Sequence, residues 1–76
     1  MEEQSRPLDA LNASRNKTVM VDTKKGLRYI GRLKAFDIHI NVVLQDAEEQ
    51  MDGQTLRKLG TVFIRGDGIT TITPSE

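Results

Sequence analysis

The side chains in this sequence that can do chemistry are few, and one histidine and one asparagine are the most informative. His39 and Asn41 stand two positions apart within an otherwise apolar run. An asparagine carboxamide offers a donor and an acceptor in one plane, which matches the pairing edge of a base, and an imidazole offers a ring on which a base can stack. Arg65, further along the chain, adds a guanidinium plane and a charge. Such side chains are typical of sites for single-stranded RNA.

A second interpretation of the same pair stays open. A half-exposed strand would place His39 and Asn41 on its polar face without any binding role. Only Tyr29, Phe36 and Phe63 are aromatic, which is too few for an extended stacking surface. Any stacking site is therefore small, about one base per subunit, and a useful binding surface needs the site repeated in an oligomer.

Catalysis finds little support in the residues. The chain has no cysteine and one histidine; Asp37 could orient that imidazole, but no serine accompanies the pair. The segment Arg65-Gly66-Asp67-Gly68 has no GK[ST] after it and no predicted helix, so a plain β-turn is favoured over a phosphate cradle. We therefore expect no enzyme, no metal site and no cofactor.

The charge of the chain is balanced overall but unevenly distributed. Its 76 residues include 11 Lys+Arg and 11 Asp+Glu, for a formal net charge of zero. Between positions 15 and 34 one acid, Asp22, stands among the basic residues Arg15, Lys17, Lys24, Lys25, Arg28, Arg32 and Lys34. Positions 46 to 52 carry acids and no base. Two interpretations remain: solvated faces of a β-rich domain, or a particle with one basic surface.

Length and hydropathy indicate where the chain works and how it is stabilised. No apolar run approaches the ~20 residues needed to cross a bilayer, and the polar start MEEQSRPLDAL is not a secretory signal. We expect a cytoplasmic protein without a membrane partner. A chain this short without a disulfide or a metal gains stability most readily by self-association.

The predicted elements begin with a flexible tail over residues 1–5, followed by a single domain over residues 6–74. A short helix starts with Ser5 as a possible capping side chain and Pro7 in its first turn, and Leu8 and Leu11 form its apolar stripe. Five strands are then predicted, over residues 18–22, 27–36, 38–44, 54–64 and 69–73.

The connections between these strands are short and their chemistry is that of turns. Lys24-Lys25-Gly26 is a tight turn, and an acidic loop over residues 46–53 closes with the hairpin signal Asp52-Gly53. Gly31 interrupts the second strand, which indicates a bend, a bulge or a close backbone approach. The sum predicts a mostly β fold, with a short N-terminal helix on a five-stranded, strongly bent, antiparallel open barrel of the SH3-like kind.

The second strand is predicted to alternate between an apolar and a polar face. The apolar face takes Leu27, Tyr29, Leu33 and Ala35.

Two segments resemble the motifs of the Sm and Sm-like RNA-binding proteins. Residues 19–49 are similar to the first Sm motif; the matching features are Gly26, Gly31, Leu33, Phe36-Asp37, Asn41, Leu44 and the acids that follow. Residues 64–69, Ile-Arg-Gly-Asp-Gly-Ile, are similar to the second Sm motif. The bacterial branch carries a Tyr/Lys-His motif that this chain lacks, so the chain looks most like archaeal Sm-like proteins.

The resemblance implies a ring, commonly of seven subunits, in which the fourth strand of one subunit pairs with the fifth strand of the next. It implies a site for U-rich single-stranded RNA on the inner rim. By motif position the site residues are His39, Asn41, Arg65, Gly66 and Asp67, with Asp37 supporting Asn41. The implied role is RNA processing or metabolism, with RNA-processing proteins as further partners. The alternative is a scaffold that gathers protein partners and binds RNA incidentally.

Overall fold

The computed structural model describes residues 6–75, and it confirms the predicted mostly β fold. The elements are α1 Pro7–Asn12, β1 Thr18–Thr23, β2 Arg28–Phe36, β3 Val42–Met51, β4 Gln54–Ile64, a 3-10 turn Gly66–Gly68 and β5 Ile69–Pro74. The strands form one antiparallel sheet in the order β4-β3-β2-β1-β5. The sheet is bent and open, and β4 and β5 are its two edges.

The helix α1 begins as the sequence predicts, with Pro7 in its first turn. The capping position is Arg6, which makes no side-chain cap hydrogen bond. The predicted tail and the predicted Ser5 cap lie outside the described residues. Leu11 packs against the core and ties the helix to the sheet. No helix within residues 6–75 is long and apolar enough to span a membrane.

The core is a small set of residues on one face of the sheet. Its fully buried members are Val19, Val21, Leu33, Val42, Leu44 and Ala47. Alternation along β1 and β3 places them on one face, as expected for a sheet with one buried side.

The pairing of β2 with β3 is irregular at Gly31, where the sequence predicts a bend, a bulge or a close backbone approach. The β2–β3 register shifts between Ile30 and Arg32, so that β3 carries one extra residue opposite this point. A Cβ atom on Gly31 would lie 3.0 Å from the carbonyl oxygen of Gln45 and 3.1 Å from the Cα of Ala47. The predicted close approach is therefore confirmed, and it explains why a glycine stands here.

The predicted faces of β2 need one correction, at Ala35. A second register shift lies between Leu33 and Ala35, so the alternation changes phase there. Ala35 is exposed, whereas the next residue, Phe36, packs against the core.

The prediction of a strand over residues 38–44 is wrong for its first half. Residues 37–41 form a turn, and β3 begins only at Val42. The turn is closed by two backbone hydrogen bonds, from Ile40 N–H to the Asp37 carbonyl at 3.0 Å and from Asp37 N–H to the Asn41 carbonyl at 3.2 Å.

The acidic loop predicted over residues 46–53 is also wrong, because β3 continues to Met51. Only Asp52 and Gly53 form the turn, with φ of 51° and 82°, and two positive φ values are typical of a type I′ hairpin. The acids belong to the strand because β4 places bases opposite them: Glu48 pairs with Lys58 and Glu49 with Arg57.

One of these acids, Glu49, is buried. Arg57 donates to its carboxylate through Nε at 2.9 Å and Nη2 at 3.3 Å, and the Tyr29 hydroxyl donates at 2.7 Å. The hydrogen bonds from the Arg57 guanidinium, and then that from Tyr29, lower the pKa of Glu49. This cluster fastens β2, β3 and β4 to one another at the end of the sheet near the Asp52-Gly53 hairpin.

Candidate nucleic-acid interface

The turn between β2 and β3 and the turn between β4 and β5 meet at one end of the sheet. They enclose a cleft of about 510 Å³ lined by His39, Asn41, Arg65, Gly66 and Asp67. The structure therefore brings together five of the six residues that the sequence assigns to a site, although they lie in two segments far apart in the chain.

The sixth residue, Asp37, organises the β2–β3 turn. One carboxylate oxygen accepts from the backbone N–H of His39 at 2.9 Å and of Asn41 at 3.2 Å. The other oxygen accepts from the Asn41 side-chain nitrogen at 3.1 Å. The side-chain hydrogen bond from Asn41, together with those from the backbone, lowers the pKa of Asp37. The carboxylate is thus charged at neutral pH and serves the turn only as an acceptor.

The Asn41 carboxamide is held at both of its ends. Its nitrogen donates to Asp37, and its oxygen accepts from the backbone N–H of Gly66 at 2.7 Å. Exchanging the oxygen and the nitrogen would set two donors against each other at Gly66 and two acceptors against each other at Asp37. The orientation is fixed, and one N–H and one oxygen lone pair remain for a ligand.

This orientation selects among bases on chemical grounds. The free N–H of Asn41 can donate to a uracil carbonyl, and the oxygen can accept the uracil N3 proton. Cytosine presents an acceptor at N3 and an amino group at C4, so in the same pose it requires the exchanged carboxamide. A base that meets the held amide in this pose would therefore need the pairing edge of uracil.

Gly66 is required at its position by lack of space. A Cβ atom there would collide with the His39 carbonyl oxygen, and it would lie 2.8 Å from the carbonyl carbon of Ile40. The backbone of the β4–β5 turn thus packs directly on the backbone of the β2–β3 turn. This contact allows the Gly66 N–H to reach Asn41.

Arg65 and Asp67 lie on the open side of the cleft. Arg65 Nη2 donates to the Asp67 carboxylate at 3.1 Å, and both side chains are largely exposed. The ion pair is too exposed to contribute much stability. The contact sets the position of the guanidinium in this structure, and Arg65 lines the same cleft as His39. Two flat groups in one cleft can stack on a base.

The lysine turn between β1 and β2 adjoins this site, which sequence reasoning did not foresee. The Lys24 backbone N–H donates to the Gly68 carbonyl at 2.9 Å. A second cleft of about 330 Å³ joins Lys24 and Lys25 to Arg65 and extends along Val62 and Ile64. The basic turn is therefore next to the cleft and not on a remote face.

Ile40 is the second feature that sequence reasoning missed. It was expected to be an ordinary apolar strand position, but it is in the left-handed region at φ 62°. No signal in the sequence indicates this conformation, because β-branched residues rarely adopt it.

Comparison with known proteins places the chain in a family. The model of the LSM domain matches residues 9–74. An snRNP Sm-like protein of Pyrococcus horikoshii is 49% identical over 71 residues, which cover 93% of this chain and 95% of the relative. The chain therefore belongs to the LSM domain family, that is, to the Sm and Sm-like proteins.

Solved structures agree with this assignment. The Sm protein of Pyrococcus abyssi, solved in complex with a uridine heptamer, has a TM-score of 0.90 and 46% identity, covering 93% of this chain and 100% of that chain. A heptameric archaeal Sm protein has a TM-score of 0.82 and 37% identity, covering 88% of this chain and 97% of that one.

Proposed function

We propose that the protein binds U-rich single-stranded RNA as a ring, at the cleft between the β2–β3 and β4–β5 turns. The observation that carries the proposal is the Asn41 carboxamide, which Asp37 and Gly66 hold in the orientation that uracil requires. His39, Arg65 and Asp67 line the same cleft and supply stacking surfaces and charge. The solved relative from Pyrococcus abyssi binds a uridine heptamer, which supports the choice of ligand.

The ring follows from the two edges of the sheet. Edge strands with unpaired N–H and C=O groups need a partner, and β4 and β5 are the edges here. β4 also exposes large apolar side chains, Leu56 at 49% and Phe63 at 77%. We propose that β4 of one copy pairs with β5 of the next. Seven copies are proposed because related archaeal Sm proteins are heptamers.

A ring repeats the cleft once in each subunit, so that several weak sites can act on one strand. One stacked base contributes roughly 1–3 kcal/mol, which alone gives weak binding. Identical clefts around one ring engage successive nucleotides of one strand, and their effective concentration raises the overall affinity.

The proposed role is to hold RNA during its processing or metabolism in the cytoplasm, with residues 6–74 as one binding domain and without catalysis. RNA-processing proteins are proposed as further partners. A ring that only gathers protein partners is the alternative, and binding measurements distinguish the two.

The test is a titration of fluorescently labelled oligo-uridine with the purified ring in moderate salt, with oligo-cytidine of equal length as the control. Native mass spectrometry of the same sample counts the subunits. Saturable binding with preference for oligo-uridine is the expected result. An intact ring that binds neither strand would contradict the proposal and favour the scaffold.

A further inference from the structure

The turn that carries His39 and Asn41 contains a residue in an unfavourable backbone conformation. Four non-glycine residues among positions 6–75 have positive φ. Three of them, Asn16, Asp46 and Asp52, are of types that tolerate the left-handed region. The fourth is Ile40, at 62°. A β-branched residue there is a true outlier and persists only where its surroundings hold it.

The surroundings that hold Ile40 are the core and the turn itself. Its side chain is half-buried and packs against the buried cluster under the sheet. Its N–H donates to the Asp37 carbonyl at 3.0 Å, and the Asn41 carbonyl accepts from the Asp37 N–H at 3.2 Å. By contrast Ile38, two positions earlier, is 74% exposed. The turn is therefore attached to the core by one apolar side chain, that of Ile40.

The left-handed residue is also where the turn touches the opposite side of the cleft. The His39–Ile40 peptide packs on Gly66, where a Cβ atom would collide with the His39 carbonyl oxygen. Directly after this peptide, Asn41 reaches the Gly66 N–H at 2.7 Å. The backbone reversal at Ile40 thus places His39 and Asn41 on either side of one contact.

We propose that Ile40 is a positioning residue for the base-binding cleft: its side chain, anchored in the core, holds the left-handed turn that directs Asn41 onto Gly66 and His39 into the cleft. The ligand in this inference, U-rich RNA, rests on the proposed function. The contacts of Ile40 do not depend on it. Ile40 touches no base itself, and it acts through the orientation of its two neighbours.

The deciding variant is Ile40→Gly, because glycine adopts positive φ without strain, so the loss of the side-chain anchor is tested apart from the cost of the backbone conformation. A control variant, Leu11→Ala, removes another half-buried side chain that packs on the same core, from α1. If Ile40→Gly does not assemble, Ile40→Asn is the second variant. Asparagine tolerates the left-handed region, and its polar side chain cannot replace the apolar contact with the core. Ile40→Leu keeps an apolar anchor and is expected to bind within about threefold of the unmodified ring.

Two readouts are measured on rings of unchanged mass, below the melting transition of every variant. The first is hydrogen exchange of the Gly66 amide, expected to be at least tenfold faster in Ile40→Gly and unchanged in Leu11→Ala. The second is the affinity for oligo-uridine, with oligo-cytidine as the reference strand. The affinity for oligo-uridine is expected to fall at least tenfold in Ile40→Gly and to stay unchanged in Leu11→Ala.

The outcomes separate the two proposals. If the unmodified ring binds no oligo-uridine, the proposed function fails, and the Gly66 exchange rate alone decides the role of Ile40. Unchanged Gly66 exchange in an intact Ile40→Gly ring overturns the positioning role. Equal changes in Ile40→Gly and Leu11→Ala overturn it as well, because they would show a general loss of stability.

Discussion

The backbone N–H of Gly66 donates a hydrogen bond of 2.7 Å to the Asn41 side-chain oxygen, although the two residues stand 25 positions apart. This bond joins the two turns of the cleft and fixes the end of the carboxamide that Asp37 does not reach. The orientation of the Asn41 carboxamide therefore depends on two partners, one in each turn.

The first prediction concerns the share of Asp37 in base selection. Asp37→Ala removes one of two restraints on Asn41, so the preference for oligo-uridine over oligo-cytidine should narrow by about two- to tenfold without vanishing, as expected for one hydrogen bond of ~0.5–1.5 kcal/mol. Asn41→Asp should abolish uracil binding because a carboxylate cannot donate. Titrations with both oligonucleotides check this on rings of confirmed mass, since Asp37 also shapes the turn. An unchanged ratio in an intact Asp37→Ala ring would refute the restraint.

The second prediction uses the two glycines of the β4–β5 turn as a matched pair. Gly66→Ala places a methyl group against the His39 carbonyl, whereas a Cβ on Gly68 meets nothing within 4 Å and requires no positive φ. We expect Gly66→Ala to cost about 1–3 kcal/mol of stability and to weaken oligo-uridine binding about tenfold or more. Gly68→Ala should change neither. Thermal melts and titrations compare the pair, and equal behaviour of the two variants would show that the turns do not pack as described.

The third prediction separates the cleft from the neighbouring basic turn. His39→Ala and Arg65→Ala each remove a flat group that lines the cleft, and each should weaken oligo-uridine binding about tenfold, consistent with ~1–3 kcal/mol per stacked base. Lys24→Ala and Lys25→Ala should weaken it far less, and their effect should shrink at higher salt. Affinities at two salt concentrations test this. Equal losses from lysines and cleft residues would indicate a diffuse electrostatic surface.

The fourth prediction concerns assembly through the sheet edges. The unmodified chain should show no folded monomer at micromolar concentration. Ile69→Lys or Ile72→Lys places a charge on β5 where the side chain packs against the core, and should break rings or unfold the chain. Thr73→Lys, whose side chain is exposed on the same strand in the single chain, tests whether a charge on β5 unfolds the chain when it need not be buried in the core. Light scattering with circular dichroism distinguishes the states; a folded 8.5 kDa monomer of the unmodified chain would contradict the prediction.

The fifth prediction is the response of stability to acid. The pKa of Glu49 is lowered in the folded chain, by Arg57 first and then by Tyr29. Its contribution to stability is therefore present above the pKa of the unfolded chain and is lost as the pH falls through the folded pKa. Below about pH 5 the melting temperature of the unmodified chain should fall. The melting temperature of Glu49→Gln should fall less over the same pH range. Glu48→Gln, the neighbouring acid, should follow the unmodified chain. If the melting temperatures of Glu49→Gln and of the unmodified chain fall in parallel as the pH is lowered, Glu49 does not contribute to the acid response.

The sequence predicted the architecture well where local chemistry decides it. Gly31 marks the irregularity in β2, and the predicted bounds of β4, residues 54–64, are those observed. The turn at 37–41 was missed because the apolar alternation of Ile38 and Ile40 continues into β3. In the structure the two isoleucines do not share a strand face: Ile38 is exposed, whereas Ile40 packs against the core.

The members of the cleft could be predicted from residue type and motif, but their contacts could not. That Gly66 serves as a donor to Asn41 depends on two turns meeting in space, and no local pattern encodes that distance. The acids at 48 and 49 were assigned to a loop for a related reason: the bases that accommodate them lie on another strand.

The tip of the β3–β4 hairpin can vary in length without changing the cleft. The two strands of the hairpin begin and end beside the cleft, and its Asp52-Gly53 tip lies at their far ends, about 30 Å along the strand at ~3.3 Å per residue. The five residues after the tip are all exposed. Exposed hairpin tips tolerate inserted sequence. A peptide tag or a fluorophore grafted between Asp52 and Gly53 would therefore leave the base-binding cleft untouched and give each subunit a handle on the opposite end of the molecule.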